Sequence, residues 1–361
     1  MRPSGGMSMD HAIVLAGGSG LRFWPESRSN RSKQFLNLTG GGAMIRETLD
    51  RLRPVFPQER IWVVAGRKDA RHLSHRALGI NKENILLEPE GKNTAPAISL
   101  ASTVIARNDP DAVLLITPAD HAIANVQAFL AVIRKGLRLA RETGRFVTLG
   151  IPPTHPSTGY GYIERGASFP GKIKGAFRVA RFAEKPDLST ARRFLRSGRF
   201  DWNSGVFLFR NDTLAKSFAK YLPDVSEAIG KAVSGAKNGF TQRLSAAYRR
   251  IPSISIDYGL LEKETEILVL PANMGWNDLG TWRSLHEFLS QGGGNVTFGN
   301  AILTDCKNTL ARTDSGLVAA IGMEDTVIIR CGNAVLVCPR SRSEDVKKMA
   351  EEVRKHFPAL A

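Results

Sequence analysis

Gly17-Gly18-Ser19-Gly20, followed at once by Leu21 and Arg22, is the stretch of this chain best suited to hold phosphate. Glycines let backbone N–H groups approach phosphate oxygens with no Cβ in the way, and Arg22 adds a forked cation. The run matches neither G-x-x-x-x-G-K-[ST] nor G-x-G-x-x-G, which disfavours a kinase-type P-loop and a dinucleotide-dependent dehydrogenase. A glycine-rich turn would account for the glycines alone. It would not account for Arg22 followed eleven residues later by Lys33-Gln34-Phe35. Asp120 lies within the run Pro118-Ala119-Asp120-His121, and Asp278 is framed by Trp276, Asn277 and Gly280. Each could be an ordinary turn or cap aspartate, but hard carboxylate oxygens also suit Mg²⁺, which takes one or two carboxylates together with substrate phosphates and waters.

These residues need a scaffold that collects loops. Residues 11–16 form a short apolar run that ends in the glycines, as a buried parallel strand delivering a loop at its carboxyl end would. Further strands are expected at 60–65, 84–87 and 112–117, alternating with helices at 67–78 and 94–107, and that alternation spells βαβ units. Ligands of such doubly wound sheets sit beyond the carboxyl ends of the strands. After a helix near 127–143 and a strand at 146–150, the pattern at 158–164, 177–184 and 202–209 turns β-rich, so the sheet should be mixed. Residues 212–249, broken by Pro223, Gly230 and Gly239, read as several short helices that cover it. Past Gly292-Gly293-Gly294 come short strands at 317–321, 326–331 and 334–338 and a helix from about Ser343. The expectation is an α/β fold with a doubly wound, Rossmann-like mixed sheet over 1–293, and a small β-rich domain over 294–361 ending in a helix. Three short strands resemble the coils of a solenoid but are too few to establish one.

A length of 361 residues, 42% hydrophobic and 23% charged, is that of a soluble globular chain with one large domain and a smaller one. No apolar run approaches the ~20 residues that span a bilayer, and residues 1–10 lack the apolar core of a secretory signal. A cytoplasmic location with no membrane partner is therefore expected. Cys306, Cys331 and Cys338 fit no common zinc spacing and read as reduced thiols. The formal charge of +16 invites a nucleic-acid reading. The basic residues are nevertheless scattered, with no basic tail and no reading motif, so no nucleic-acid partner is expected. A basic surface also steers small anions.

The chain resembles the sugar-1-phosphate nucleotidyltransferases, and among them the bacterial mannose-1-phosphate guanylyltransferases. The resemblance covers about 290 residues and rests on Leu15 to Pro25, on Lys33-Gln34-Phe35-Leu36, on Glu88-Pro89 with Asn93-Thr94-Ala95-Pro96, and on Pro118-Ala119-Asp120-His121. It continues through Thr158-Gly159-Tyr160-Gly161-Tyr162-Ile163, Phe182-Ala183-Glu184-Lys185-Pro186, Trp202-Asn203-Ser204-Gly205 and Trp276-Asn277-Asp278-Leu279-Gly280. Ser32 stands where the family usually has proline, and this chain has no room for the isomerase domain fused to longer members.

The resemblance implies the nucleotidyltransferase fold and an Mg²⁺-assisted reaction in which mannose 1-phosphate attacks the α-phosphorus of GTP, giving GDP-mannose and pyrophosphate. It implies that Arg22 and Lys33 hold the triphosphate and that Gly17, Gly18, Ser19, Gly20, Asn93 and Thr94 take part in binding the nucleotide. Lys185 would hold the sugar phosphate, Gly159, Glu184, Asn203 and Asp278 would line the sugar pocket, and Asp120 and Asp278 would hold the metal. Joining two anions depends mainly on positioning and positive charge, not on a covalent nucleophile. Glu88 could accept from both N1–H and N2–H₂ of guanine, or could be a surface glutamate beside Pro89. Three other readings stay open: a transferase for another sugar or base such as heptose 1-phosphate or UTP, a catalytically silent regulatory subunit, and a basic nucleic-acid binder. Retention of Arg22, Lys33, Asp120, Lys185 and Asp278 together disfavours the silent subunit. The oligomeric state is open, with a homodimer as one option.

Overall fold

The computed structural model describes residues 10–18, 20–236 and 238–360. By compactness the chain forms two units. One comprises the residues up to Gly17, Leu49–Ala119 and Ile123–Trp276; the other comprises Gly18–Thr48, Asp120–Ala122 and Asn277–Ala361.

The first unit is built on a nine-stranded sheet. Its spatial order is Ile85–Glu88, Ile61–Gly66, His11–Ala16, Val113–Pro118, Phe200–Arg210, Phe146–Ile151, Ile267–Pro271, Phe177–Ala183 and Tyr162–Ser168. The first four strands run parallel, with Val14 opposite Val63 on one side and Thr117 on the other. Such strands are covered on both faces, and their near-continuous apolar sequences reflect that: Ala12, Ile13, Val14, Val113, Leu114, Leu115 and Ile116 are fully buried. Phe200–Arg210 is antiparallel to both its sheet neighbours, which makes the sheet mixed, as expected.

Helix Thr94–Ala106 is apolar nearly all round and buried accordingly. Asn93 opens it, its side-chain oxygen accepting from Thr94 N at 2.9 Å. Helices Asn211–Tyr221, Pro223–Ser234 and Phe240–Arg250 cover one face of the sheet, placing Leu214, Phe218, Val225, Ile229 and Tyr248 in the same core as Ile13, Ile98, Ile116 and Phe209. Pro223 occupies the first turn of its helix, where its missing N–H costs nothing. The single helix expected at 67–78 is instead a 3₁₀ segment, Arg67–His72, and a short helix, His75–Leu78. Ser74 separates them by capping the second, accepting from Ala77 N at 3.3 Å.

In the second unit, strands Val296–Phe298, Leu310–Thr313 and Thr326–Cys331 stack in parallel. Ala301–Thr304 and Val318–Ile321 form a second parallel pair. Only 317–321 and 326–331 among these strands are legible as sequence patterns, because strands of three or four residues are too short to show a period. Ala334–Pro339 returns antiparallel, and a 3₁₀ turn, Arg340–Asp345, leads into helix Val346–His356. The core of this unit combines Phe23, Trp24, Leu36, Leu38 and Met44 with Trp282, Leu285, Leu310, Ile329, Leu336 and Val346. The segment 18–48 therefore lies with the C-terminal residues in compactness, whereas the sequence reading draws its boundary at 293/294. The physical reason is burial of the apolar residues that alternate with the candidate site residues of that segment.

Candidate active site

The second unit holds Gly18, Gly20, Arg22, Lys33, Asp120 and Asp278 of the phosphate-loop and metal candidates. Leu21–Phe23 and Lys33–Phe35 are both single 3₁₀ turns. Gly20 has φ 60°, and a Cβ there would lie 2.5 Å from Lys33 Cβ, so glycine is required for the two turns to touch. Gly18 has φ 104°, and the space over Gly17 and Gly18 is open. Ser19 lies outside the described residues.

Lys33 is buried, and its ammonium group sits 2.9 Å from Asp120 Oδ2 and 2.5 Å from the backbone carbonyl of Asp278. A buried ammonium is costly unless paired and hydrogen-bonded, and both conditions are met here. Burial by itself would raise the Asp120 carboxyl, but the charge of Lys33, then that of His121, and the Lys33 hydrogen bond outweigh it and hold the group below its ordinary range. Asp120 is thus ionised at neutral pH. Asp278 enters through its main chain, while its Oδ1 accepts from Gly280 N at 3.0 Å. Arg22 is placed differently: its Nε forms an ion pair with Glu344 Oε2 at 2.7 Å. No group of three or more His, Cys, Asp or Glu side chains disposed for a metal occurs among the described residues.

The first unit holds the sugar candidates Gly159, Glu184, Lys185 and Asn203, whereas Asp278 belongs to the second. Asn203 donates from Nδ2 to Asp257 Oδ1 at 2.9 Å, and its backbone N–H donates to Gly161 O at 2.8 Å. A Cβ on Gly161 would stand 2.4 Å from Glu184 Oε2, so that glycine makes room for the carboxylate. Glu184 Oε1 in turn holds Lys185 Nζ at 2.9 Å. Lys185 itself has φ 42°, a left-handed conformation that costs a side-chain-bearing residue energy and recurs at functional sites. Burial raises the Asp257 carboxyl, the Asn203 hydrogen bond opposes this, and the charge of Glu184 pushes it further up. Glu262 is raised by burial and then by Glu184. Tyr160 packs edge-on against Trp202 and Trp276, at 4.9 and 5.4 Å, in a packing role. Gly159 N donates to Ser157 Oγ at 3.2 Å.

The base candidates lie in the same unit. Glu88 ends strand Ile85–Glu88 and is buried, its Oε1 accepting from Tyr248 OH at 3.0 Å. It is therefore not the surface glutamate that the sequence also allowed. Burial lifts its pKa to about 7 against the opposing Tyr248 hydrogen bond. Asn93, at φ 69° and ψ −168°, occupies a region of backbone space that glycine ordinarily fills. Thr94 Oγ1 accepts from Ile256 N at 2.8 Å, Ala95 N donates to Ile254 O at 3.1 Å, and Ile254 N donates to Lys92 O at 3.1 Å. Residues 92–95 are thus zipped to the loop that carries Asp257. Sequence reasoning missed Asp257, Tyr248 and Glu344; none sits in a recognisable motif. A cavity of about 290 Å³ lined by Glu83, Leu86, Val104, Arg107, Val233 and Phe240 contains none of the predicted site residues.

Comparison with known proteins gives the family of the chain. The Nucleotidyl transferase family model matches residues 11–292, and the MannoseP isomerase/GMP-like beta-helix domain model matches residues 299–353. The chain is 42% identical over 348 residues to the Xanthan biosynthesis protein XanB of Xanthomonas campestris pv. campestris (strain B100), covering 95% of this chain and 73% of that protein. To the mannose-1-phosphate guanylyltransferase of Escherichia coli (strain K12) it is 40% identical over 352 residues, with the same coverage, 95% and 73%. A crystal structure of mannose-1-phosphate geranyltransferase from Thermus thermophilus superimposes with a TM-score of 0.88 at 35% identity, over 96% of this chain and 100% of that one. The chain therefore belongs to the nucleotidyl transferase family, in the group that joins this catalytic fold to a C-terminal β-helix and includes the mannose-1-phosphate guanylyltransferases.

Proposed function

We propose that this chain transfers GMP from GTP to α-D-mannose 1-phosphate, giving GDP-mannose and pyrophosphate. The observation that carries the reading is the buried Lys33 ammonium, fixed between the Asp120 carboxylate and the Asp278 carbonyl beside the Gly20 turn. Kinship with the Escherichia coli guanylyltransferase over 95% of the chain supports it. In the reaction an oxygen of the sugar phosphate forms a bond to the α-phosphorus while the bond from that phosphorus to the leaving pyrophosphate oxygen breaks. The nucleophile is already ionised, so no strong base is needed. Positive charge on the two anions and their alignment lower the barrier.

Arg22 and Lys33 are assigned to the triphosphate, and the glycine loop, Asn93 and Thr94 to the nucleotide. Lys185 is assigned to the sugar phosphate, and Glu184, Asn203, Asp278 and the backbone at Gly159 to the sugar. Glu88 is assigned to the base through Oε2, since Tyr248 occupies Oε1. Asp120 and Asp278 would hold a hard divalent cation, Mg²⁺: Asp120 is ionised and both offer carboxylate oxygen, with phosphate and water to supply the remaining positions. When bound, Mg²⁺ supplies positive charge to the phosphates. A cytoplasmic site of action completes the reading. Among the described residues, no helix is long and apolar enough to cross a membrane.

The test is a matrix of sugar 1-phosphates against nucleoside triphosphates with pyrophosphate release as the readout. Highest kcat/KM for mannose 1-phosphate with GTP is expected. A preference for another sugar or base would replace the specificity, and no turnover with any pair would leave a catalytically silent subunit.

A further inference from the structure

The C-terminal domain reaches into the phosphate loop at one point that no sequence motif marks. Arg22 Nε lies 2.7 Å from Glu344 Oε2, the carboxylate of a residue in the 3₁₀ turn Arg340–Asp345. Both ends of this contact are presented from fixed backbone. On the Arg22 side, Phe23 N donates to Gly20 O at 2.9 Å, and the buried Phe23 ring packs edge-on against Trp282 at 4.8 Å. Trp282 Nε1 donates to Trp24 O at 3.0 Å, and Trp24 Nε1 donates to Leu360 O at 2.9 Å. On the Glu344 side, Ser343 is buried with its hydroxyl on Arg340 O at 2.8 Å, and Val346 is buried in the core.

The neighbouring cations of that turn have other partners. Arg342 Nε pairs with Asp345 Oδ2 at 3.0 Å, Lys348 with Asp345 Oδ1 at 3.6 Å, and Arg340 Nη2 with Asp325 Oδ1 at 3.0 Å. Glu344 is thus the acid of the turn whose ion pair reaches the glycine loop.

A guanidinium offers five N–H donors in a rigid fork. A carboxylate paired at Nε restrains the fork from that side and leaves the terminal N–H groups for a second acceptor. We propose that Glu344 is a positioning residue that orients the Arg22 fork toward the triphosphate, so that the C-terminal β-helix domain completes the nucleotide site. The proposal rests on the assignment of Arg22 to the triphosphate. The pair adds little to stability, because its side chains are 49% and 68% exposed and such ion pairs are screened by water. Its value lies in preorganisation, since a long side chain already held in place loses less freedom when the ligand arrives.

The test is steady-state kinetics on Glu344→Gln, Glu344→Asp, Arg22→Ala and the Arg22→Ala/Glu344→Gln double variant of the full chain, with GTP and mannose 1-phosphate varied separately. Glu344→Gln should raise KM for GTP about three- to tenfold, the size of an ordering penalty for one such side chain. KM for mannose 1-phosphate and the melting temperature should stay at the parent values. Glu344→Asp should recover part of the loss, and Glu344→Gln should add nothing once Arg22 is alanine. A GTP KM that is unchanged or lower in Glu344→Gln, while Arg22→Ala is impaired for GTP, would overturn the inference alone; a lower value would mean that Glu344 competes with phosphate. Normal use of GTP by Arg22→Ala would overturn the assignment of Arg22 and the inference with it.

Discussion

The ammonium group of Lys33 lies 2.9 Å from Asp120 Oδ2 and 2.5 Å from the carbonyl oxygen of Asp278, so one buried cation ties the residues proposed for the metal to the residue proposed for the triphosphate. Changes at any of the three should then be felt at the others.

Asp120→Asn removes a charge without changing size. Turnover should fall a hundredfold or more, the scale seen when a positioned electrostatic group is lost. Stability should fall by only about 2 kcal/mol, because Lys33 keeps the Asp278 carbonyl and Asp120 is partly solvated. Its depressed folded pKa places this contribution above the ordinary Asp range, with loss as pH falls through the folded value. Asp278→Asn should lose turnover likewise. Full activity in both variants, or in the parent with excess chelator, would remove the metal from this site.

Lys185→Ala and Arg22→Ala should separate the two anion subsites. The first should lower kcat/KM mainly when mannose 1-phosphate is varied, the second mainly when GTP is varied, each by about tenfold or more. The opposite pattern would mean that the subsites are exchanged.

Gly161→Ala tests the sugar pocket through space alone. The new Cβ would stand 2.4 Å from Glu184 Oε2, which is the free end of a flexible side chain, so the carboxylate should swing away while the strands keep their register. KM for mannose 1-phosphate should rise about tenfold, as for a displaced positioning group, with a melting temperature close to the parent's. Unaltered sugar affinity would show that Glu184 does not face the sugar.

Glu88 should leave a mark on stability as well as on selectivity. Its folded pKa of about 7 exceeds its ordinary 4.5, so between those values the folded state binds the proton more tightly than the unfolded chain does. Its contribution is therefore full below the unfolded value and declines as pH rises through the folded one, by up to about 1.4 kcal/mol per pH unit within the window. Glu88→Gln should flatten that part of the curve in urea unfolding measured from pH 4 to 8. If Oε2 also meets the base, the ratio of kcat/KM for GTP to that for UTP and ATP should drop in the same variant. A flattened curve with an unchanged ratio would confine Glu88 to its contact with Tyr248.

Arg312 is buried, pairs with Glu26, donates to Leu38 O at 3.2 Å and to Asn37 O, and lies 4.5 Å over the Phe298 ring. Arg312→Met should cost about 3 kcal/mol or more by leaving the Glu26 carboxylate buried and unpaired. Adding Glu26→Gln should restore part of the loss. Strict additivity of the two changes in denaturant unfolding would refute the coupling.

Residue types and short-range pattern alone identified the parallel half of the sheet, the helix opening at Thr94 and the covering helices after residue 211, while the motifs that hold the candidate groups were legible through family resemblance. These features repeat over a few residues, and the side chains that form them are buried by their own strand or helix. The helix expected over 67–78 broke at Ser74 because a local cap competes with helix continuation, which apolar periodicity does not register. Partners across the chain were a different matter. Lys33 meets Asp278 at a separation of 245 residues and Tyr248 meets Glu88 at 160. Arg22 finds Glu344 only once Phe23 and Trp24 beside it have joined the C-terminal core. Such pairs depend on which way each side chain leaves a backbone that packing has already placed, so only the tertiary structure could decide them.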